Sequence, residues 1–145
     1  MARIEKSIEI NVPPEKIWPI IKWENVPQWF ETVKKVEWTS KEQNTVGSTF
    51  HVIQEAAGAK MEADDEITEV VENEKMAFRT ISGNTTASGS VTLSPTKSGT
   101  KVTITEDYEL PYSILGKLID KLRVHKALEK AIENALLKLK GTMEK

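Results

Sequence analysis

The chain of 145 residues contains no cysteine. That excludes disulfides, thiolate nucleophiles and zinc sites built on sulfur. Histidine is nearly as scarce, with only His51 and His125, so a histidine-rich metal centre has too few ligands. Glycine is sparse at seven residues, and no phosphate-cradling loop of the P-loop or dinucleotide-binding kind occurs. Ser82-Gly83-Asn84 lacks the strand-turn-helix context of a nucleophile elbow. No stretch approaches the ~18 apolar residues of a membrane span. Charge of one sign is missing too. The 20 basic and 22 acidic residues interleave to a net −2, without the basic stripe of a nucleic-acid binder. The opening residues, Met-Ala-Arg-Ile-Glu-Lys, lack the apolar core of a secretion signal. The expectation is a cytoplasmic protein with no metal, no cofactor, no nucleic-acid partner and no stable membrane insertion.

What is present suits a single domain over residues 1–145. A chain of this length buries roughly 68–70% of its unfolded surface, enough for one core without staples. No repeat, low-complexity run or linker divides it. In Arg3–Asn11, Ile4, Ile8 and Ile10 share one parity against Glu5, Ser7 and Glu9, the period of a half-buried strand. Pro13-Pro14 stops that strand and opens a helix over Glu15–Lys22, interrupted by Pro19. A second helical piece is expected over Val26–Thr32. Strands are expected at Val33–Thr39, Ser48–Ala56, Lys60–Val71, Lys75–Ile81, Thr86–Leu93 and Thr100–Leu110, with turn residues between them. Ala87, Gly89, Val91 and Leu93 oppose Ser88, Ser90 and Thr92. Val102, Ile104, Tyr108 and Leu110 oppose Thr103, Thr105, Asp107 and Glu109. Strands with one hydroxyl-rich face predict an antiparallel sheet that is wet on one side and covered on the other. The cover is a helix from Ile114 to about Lys140. Ile114, Leu118, Leu122, Leu128, Ile132, Ala135, Leu136 and Leu139 form its apolar stripe.

The order is one strand, two short helices, six strands and a long helix. Its motifs are Lys6-Ser-Ile-Glu-Ile-Asn-Val-Pro-Pro-Glu-Lys-Ile-Trp18, Val26-Pro-Gln-Trp-Phe30, Val33-Lys-Lys-Val-Glu37, Val46-Gly-Ser-Thr-Phe50 and Gly99-Thr-Lys-Val-Thr103. Together they resemble the START-like superfamily, the helix-grip proteins of polyketide cyclisation and lipid transport, over essentially the whole chain. The resemblance implies an α+β fold in which a curved antiparallel sheet of about seven strands wraps a long C-terminal helix. It also implies a ligand cavity between them. Two features depart from the plant-allergen branch: Asn44-Thr-Val-Gly47-Ser holds a single glycine, and Pro19 interrupts a helix, so the cavity entrance is expected to differ.

The expected wall of that cavity comprises Trp29, Phe30, Phe50, Val52, Met61, Ala63, Phe78, Val91, Ile104, Tyr108, Leu118 and Leu122. Plain core packing is the alternative for each. Polar residues on the same parity are more informative, because burying them unpaired is unfavourable. Asp65 follows Met61, Ala63 and Ile67. Glu106 follows Val102 and Ile104. His125 lies on the bearing of Leu118 and Ile132. These three are the candidates to orient a polar ligand group, or to move protons in catalysis. The competing expectation is a structural pair between His125 and one carboxylate, or a position for these groups at a wet cavity mouth.

The function expected is that of a carrier or sensor, monomeric or weakly dimeric, for a hydrophobic small molecule such as a lipid, quinone, isoprenoid or polyketide. The alternatives are an aromatase/cyclase- or dehydratase-type enzyme using the same cavity, and a co-chaperone-like interaction module with a filled interior.

Overall fold

In the computed structural model, which describes residues 2–110 and 121–145, seven antiparallel strands form one curled sheet. They are β1 (Ala2–Ile10), β2 (Val33–Trp38), β3 (Thr49–Ala56), β4 (Ala59–Val71), β5 (Lys75–Gly83), β6 (Thr86–Pro95) and β7 (Thr100–Glu109). Their spatial order is β1-β7-β6-β5-β4-β3-β2. Strands β2 to β7 follow one another as a meander. β1 closes the far edge against β7, from Ala2 opposite Tyr108 to Ile10 opposite Thr100. The segment between β1 and β2 therefore links opposite edges of the sheet. It carries helix α1 (Pro14–Ile17), a 3-10 turn (Trp23–Asn25) and helix α2 (Val26–Trp29). The expected helix to Lys22 stops at Ile17, because Pro19 has no N–H to donate to the turn before it.

Alternation sets which face each strand buries. Along β4, Ala59, Met61, Ala63, Asp65 and Ile67 are buried in strict sequence. A bulge interrupts the β4–β5 ladder between Asp64 and Asp65. Ser82 faces Asp64 and Thr80 faces Asp65, so the extra residue is Ile81 on β5. β4 keeps its phase, and Asp65 stays inside. Ile81 is left outside, half exposed. A second irregularity between Ile67 and Glu69 places the extra residue, Thr68, on β4. Bulges of this kind bend strands and raise local twist, which suits a sheet that curls round a helix.

Helix α3 (Lys121–Met143) is the covering helix among the described residues. It packs against β1, β3 and α2. Val124, Leu128, Ala131, Ile132, Ala135, Leu136 and Leu139 are its buried face. This corrects the expected stripe at one position. Six residues advance a helix by about 600°, which leaves Leu122 about 120° off the bearing of Leu128. Leu122 accordingly faces solvent, 58% exposed, whereas Val124 is fully buried. The expected stripe residues Ile114 and Leu118 lie outside the described residues. Lys6 on β1 reaches Glu129 and Glu133 on the helix at 3.5 and 3.2 Å. The Lys140 ammonium donates to the Glu9 carbonyl at 2.7 Å. No described helix is long and apolar enough to cross a membrane.

Candidate functional site

The described helix, Lys121–Met143, covers only part of the concave face. Over β4 to β7 the sheet is left as the floor of a cavity with about 100 Å³ open to the centre of a water molecule. Alternate residues of four strands build the floor: Met61, Ala63 and Asp65 from β4; Met76, Phe78 and Thr80 from β5; Ala87 and Val91 from β6; Ile104, Glu106 and Tyr108 from β7. Val52 and Gln54 of β3 form one side. The roof comes from the β1–β2 segment through Ile21, Trp23, Val26, Trp29 and Phe30. Leu128 is the contribution of the described part of the helix.

Gly89 lets the floor close up. It faces Glu106 on one side and Phe78 on the other. A methyl group there would sit 2.5 Å from the Thr105 carbonyl oxygen and 3.0 Å from the Phe78 ring. The aromatic roof is tied down more firmly. The Trp29 indole N–H donates to the Ile20 carbonyl at 3.1 Å. Trp23 packs on Phe50 with ring centres 4.4 Å apart and meets the Phe78 edge at 5.1 Å.

The expected wall residues fall into three groups. Trp29, Phe30, Val52, Met61, Ala63, Phe78, Val91, Ile104 and Tyr108 all line the cavity, as do the carboxylic residues Asp65 and Glu106. Two others do not. Phe50 is fully buried behind Trp23 and against Trp38, so it supports the wall without reaching its surface. Leu122 is turned outward, as described above. Leu118 lies outside the described residues. Trp23, Met76 and Ala87 line the cavity without having been expected there. Met76 carries a readable signal, since it shares the parity of Phe78. Trp23 sits in an irregular turn, where no period assigns a face.

The polar residues have distinct surroundings. Asp65 is 3% exposed, and one of its oxygens accepts the Thr80 hydroxyl at 2.9 Å. Burial pushes its carboxyl up to about 7, against the lowering effect of that hydrogen bond. Glu106 accepts no hydrogen bond from any described residue. Burial, then the charges of Asp65 and Asp107, push it up to about 7 as well. Glu106 therefore senses the Asp65 charge across the curled sheet, although their strands are not neighbours. Neither meets a described cation.

His125 pairs differently from expectation. Its Nδ1 lies 2.6 Å from the Tyr108 hydroxyl, with the rings stacked 5.9 Å apart. The structural partner is thus a tyrosine rather than Asp65 or Glu106, and it is Tyr108 that faces the cavity. Burial, with the nearby charges of Glu106 and Glu129, raises the tyrosine pKa. The hydroxyl accordingly keeps its proton and can donate to the imidazole.

A separate cluster occupies the outer face of the sheet. His51 Nδ1 is 2.9 Å from Asp64, and Nε2 is 2.9 Å from Glu62. Both ring nitrogens can donate at once only in the imidazolium form. The Asp64 and Glu62 carboxylates, accepting those bonds, raise the His51 pKa. Ser82 donates to the second Asp64 oxygen at 3.1 Å. No cluster suited to a metal ion occurs among the described residues.

Comparison with known proteins places this architecture. A family model described as polyketide cyclase / dehydrase and lipid transport matches residues 1–144. An uncharacterised 17.2 kDa protein from the melC2-rnhH intergenic region of Streptomyces lincolnensis is 32% identical over 124 residues, covering 84% of this chain and 78% of that protein. Among solved structures, TTHA0849 of Thermus thermophilus superposes with a TM-score of 0.79 at 23% identity, over 98% of this chain and 97% of that one. A START superfamily protein of Mycobacterium smegmatis gives 0.78 at 18% identity over the same shares. The major latex-like protein 151 of Panax ginseng gives 0.74 at 15%, again over 98% and 97%. The curled sheet and its covering helix are thus the START-like helix-grip fold.

Proposed function

The chain belongs to the polyketide cyclase / dehydrase and lipid transport family, and on that premise we propose that it is a binding protein, a carrier or sensor, for an apolar small molecule held between sheet and helix. The observation that supports this most is the hollow interior. Met61, Met76, Phe78, Val91, Ile104 and Leu128 bound a volume that a close-packed core would have filled. Polar groups on the wall are few, as expected of a site that gains affinity from apolar contact and uses polar groups for orientation. An interaction module that worked by its outer surface would have no use for a hollow core. The exposed large apolar residues Val46, Val71, Ile81, Leu122 and Leu137 are spread over β4, β5, the β2–β3 turn and the helix, rather than gathered on one element.

One observation favours a second reading, a cyclase- or dehydratase-type enzyme in the same cavity. Asp65 and Glu106, both held near neutrality, and the Tyr108–His125 pair are groups able to exchange protons with a bound chain.

Titration with a neutral apolar fluorophore tests the binding reading. Wild-type protein should saturate at one dye per chain. The variant Ala87→Trp, which fills the cavity from its floor, should lose that binding while its circular dichroism is unchanged. Equal binding by both proteins would overturn the proposal.

A further inference from the structure

We propose that the cavity selects apolar ligands carrying a basic nitrogen, with Asp65 and Glu106 as the counter-charges that receive it; this inference rests on the ligand-binding reading above.

The first support is the sign of the wall. Every ionisable group lining the cavity among the described residues is an acid: Asp65, Glu106 and Tyr108. No described lysine, arginine or histidine joins them there. Three described cations of the sheet are committed elsewhere. Arg79, next to the inward Phe78, points to the outer face and binds Glu66 at 3.0 Å. Lys6 is held by Glu129 and Glu133. His51 is held outside by Asp64 and Glu62.

The second support is the incomplete bonding of the two carboxyls. Asp65, on β4, is nearly inaccessible yet receives one hydroxyl, at one oxygen. Glu106, on β7, receives no hydrogen bond from any described residue. A carboxyl held in an apolar wall without enough donors or a counter-charge is destabilising, whether buried like Asp65 or partly exposed like Glu106, and an ammonium group supplies both. The tendency of these carboxyls to hold their protons near neutrality reports the same missing partner. An incoming ammonium ion would lower both pKa values by favouring the charged forms.

The third support is aromatic. Phe78 stands in the same cross-strand row as Glu106, with Gly89 between them, and Trp23 meets the Phe78 ring. Aromatic faces beside a carboxylate attract organic cations through the ring quadrupole. A ligand ending in a carboxylate would instead meet two carboxyls and no described cation. The cavity is thus built against fatty-acid-like anions as well as for bases.

Three ligands of equal chain length separate the possibilities: dodecylamine, dodecanol and dodecanoate, each competing with the neutral fluorophore. The amine should displace dye about tenfold more tightly than the alcohol, the worth of a hydrogen bond to a charged group. The carboxylate should be weakest. Glu106→Gln and Asp65→Asn should each shrink the advantage of the amine over the alcohol. Asp65→Asn retains an oxygen for Thr80, so it keeps the native contact. Alcohol binding without an amine advantage overturns the charge selection and leaves the binding function standing. An amine advantage that survives both substitutions also overturns it. Failure of all three ligands, together with failure of the dye to bind, overturns both.

Discussion

Replacing Glu106 by glutamine should stabilise the protein, and only above the range where the unfolded glutamate ionises. The folded pKa of Glu106 is pushed up from 4.5 to about 7 by burial and by the neighbouring charges of Asp65 and Asp107. A raised carboxyl pKa means that the folded state holds its proton longer than the unfolded state. Stability is therefore lost as pH rises from about 4.5 to about 7, and the loss is complete above that. At ~1.4 kcal/mol per unit, the ionised side chain opposes folding by on the order of 3 kcal/mol at alkaline pH. Glutamine keeps the shape without the charge. At about pH 9, Glu106→Gln should gain roughly 3 kcal/mol, or about 10 °C in Tm for a chain of this size. At about pH 4 the glutamate is protonated in both states, and the two proteins should melt together. Other groups titrate in the same window. His51, with a raised pKa, adds stability below its unfolded pKa that is lost as pH rises through the folded value. The difference between variant and wild type removes such shared contributions. Thermal or urea unfolding at the two pH values measures it. An equal Tm gap at both, or none at either, would show that the Glu106 carboxylate is solvated in the cavity and would refute the reasoning.

Two other substitutions test the walls. Tyr108→Phe removes the hydroxyl that lies 2.6 Å from His125 and should destabilise by about 1 kcal/mol in urea unfolding; no change would mean that the pair contributes nothing to holding helix against sheet. Gly89→Ala sets a methyl 2.5 Å from the Thr105 carbonyl and 3.0 Å from Phe78. It should destabilise by ~1–3 kcal/mol, as overpacked sites do, and should weaken dye binding by tilting Phe78 into the cavity. A neutral effect on both would contradict the close floor.

Much of this was legible as alternation. Parity put Asp65, Glu106, Phe78 and Tyr108 on one inner face, because a strand has no freedom to do otherwise while its phase holds. A bulge could have reversed Asp65. It did not, because the extra residue is Ile81 on the neighbouring strand, and no sequence pattern announces which strand of a pair will carry it. Leu122 shows the converse. An apolar residue was assigned to a helical stripe whose phase, counted back from Ile132 and Leu128, passes through Val124 instead. His125 was placed on the inner bearing, yet its partner proved to be Tyr108. Several hydrogen-bonding groups lay within reach of an imidazole there, and pairing depends on rotamers that a sequence does not state. The hollow interior was implied by resemblance rather than by residue pattern, for the same reason. The same apolar residues could pack solid or leave a void, according to sheet curvature and side-chain conformation. Trp23 was missed as a wall residue because an irregular turn has no period to read.

The most direct test of the cavity as binding site uses the methionines. Met61 and Met76 line it, whereas Met143 sits at the end of the helix, away from it. In a protein labelled at its methionine methyl groups, titration with dodecanol should shift the Met61 and Met76 resonances together and to saturation, leaving Met143 in place. Saturable dodecanol binding that leaves Met61 and Met76 unmoved, or that shifts Met143 instead, would contradict a site between sheet and helix.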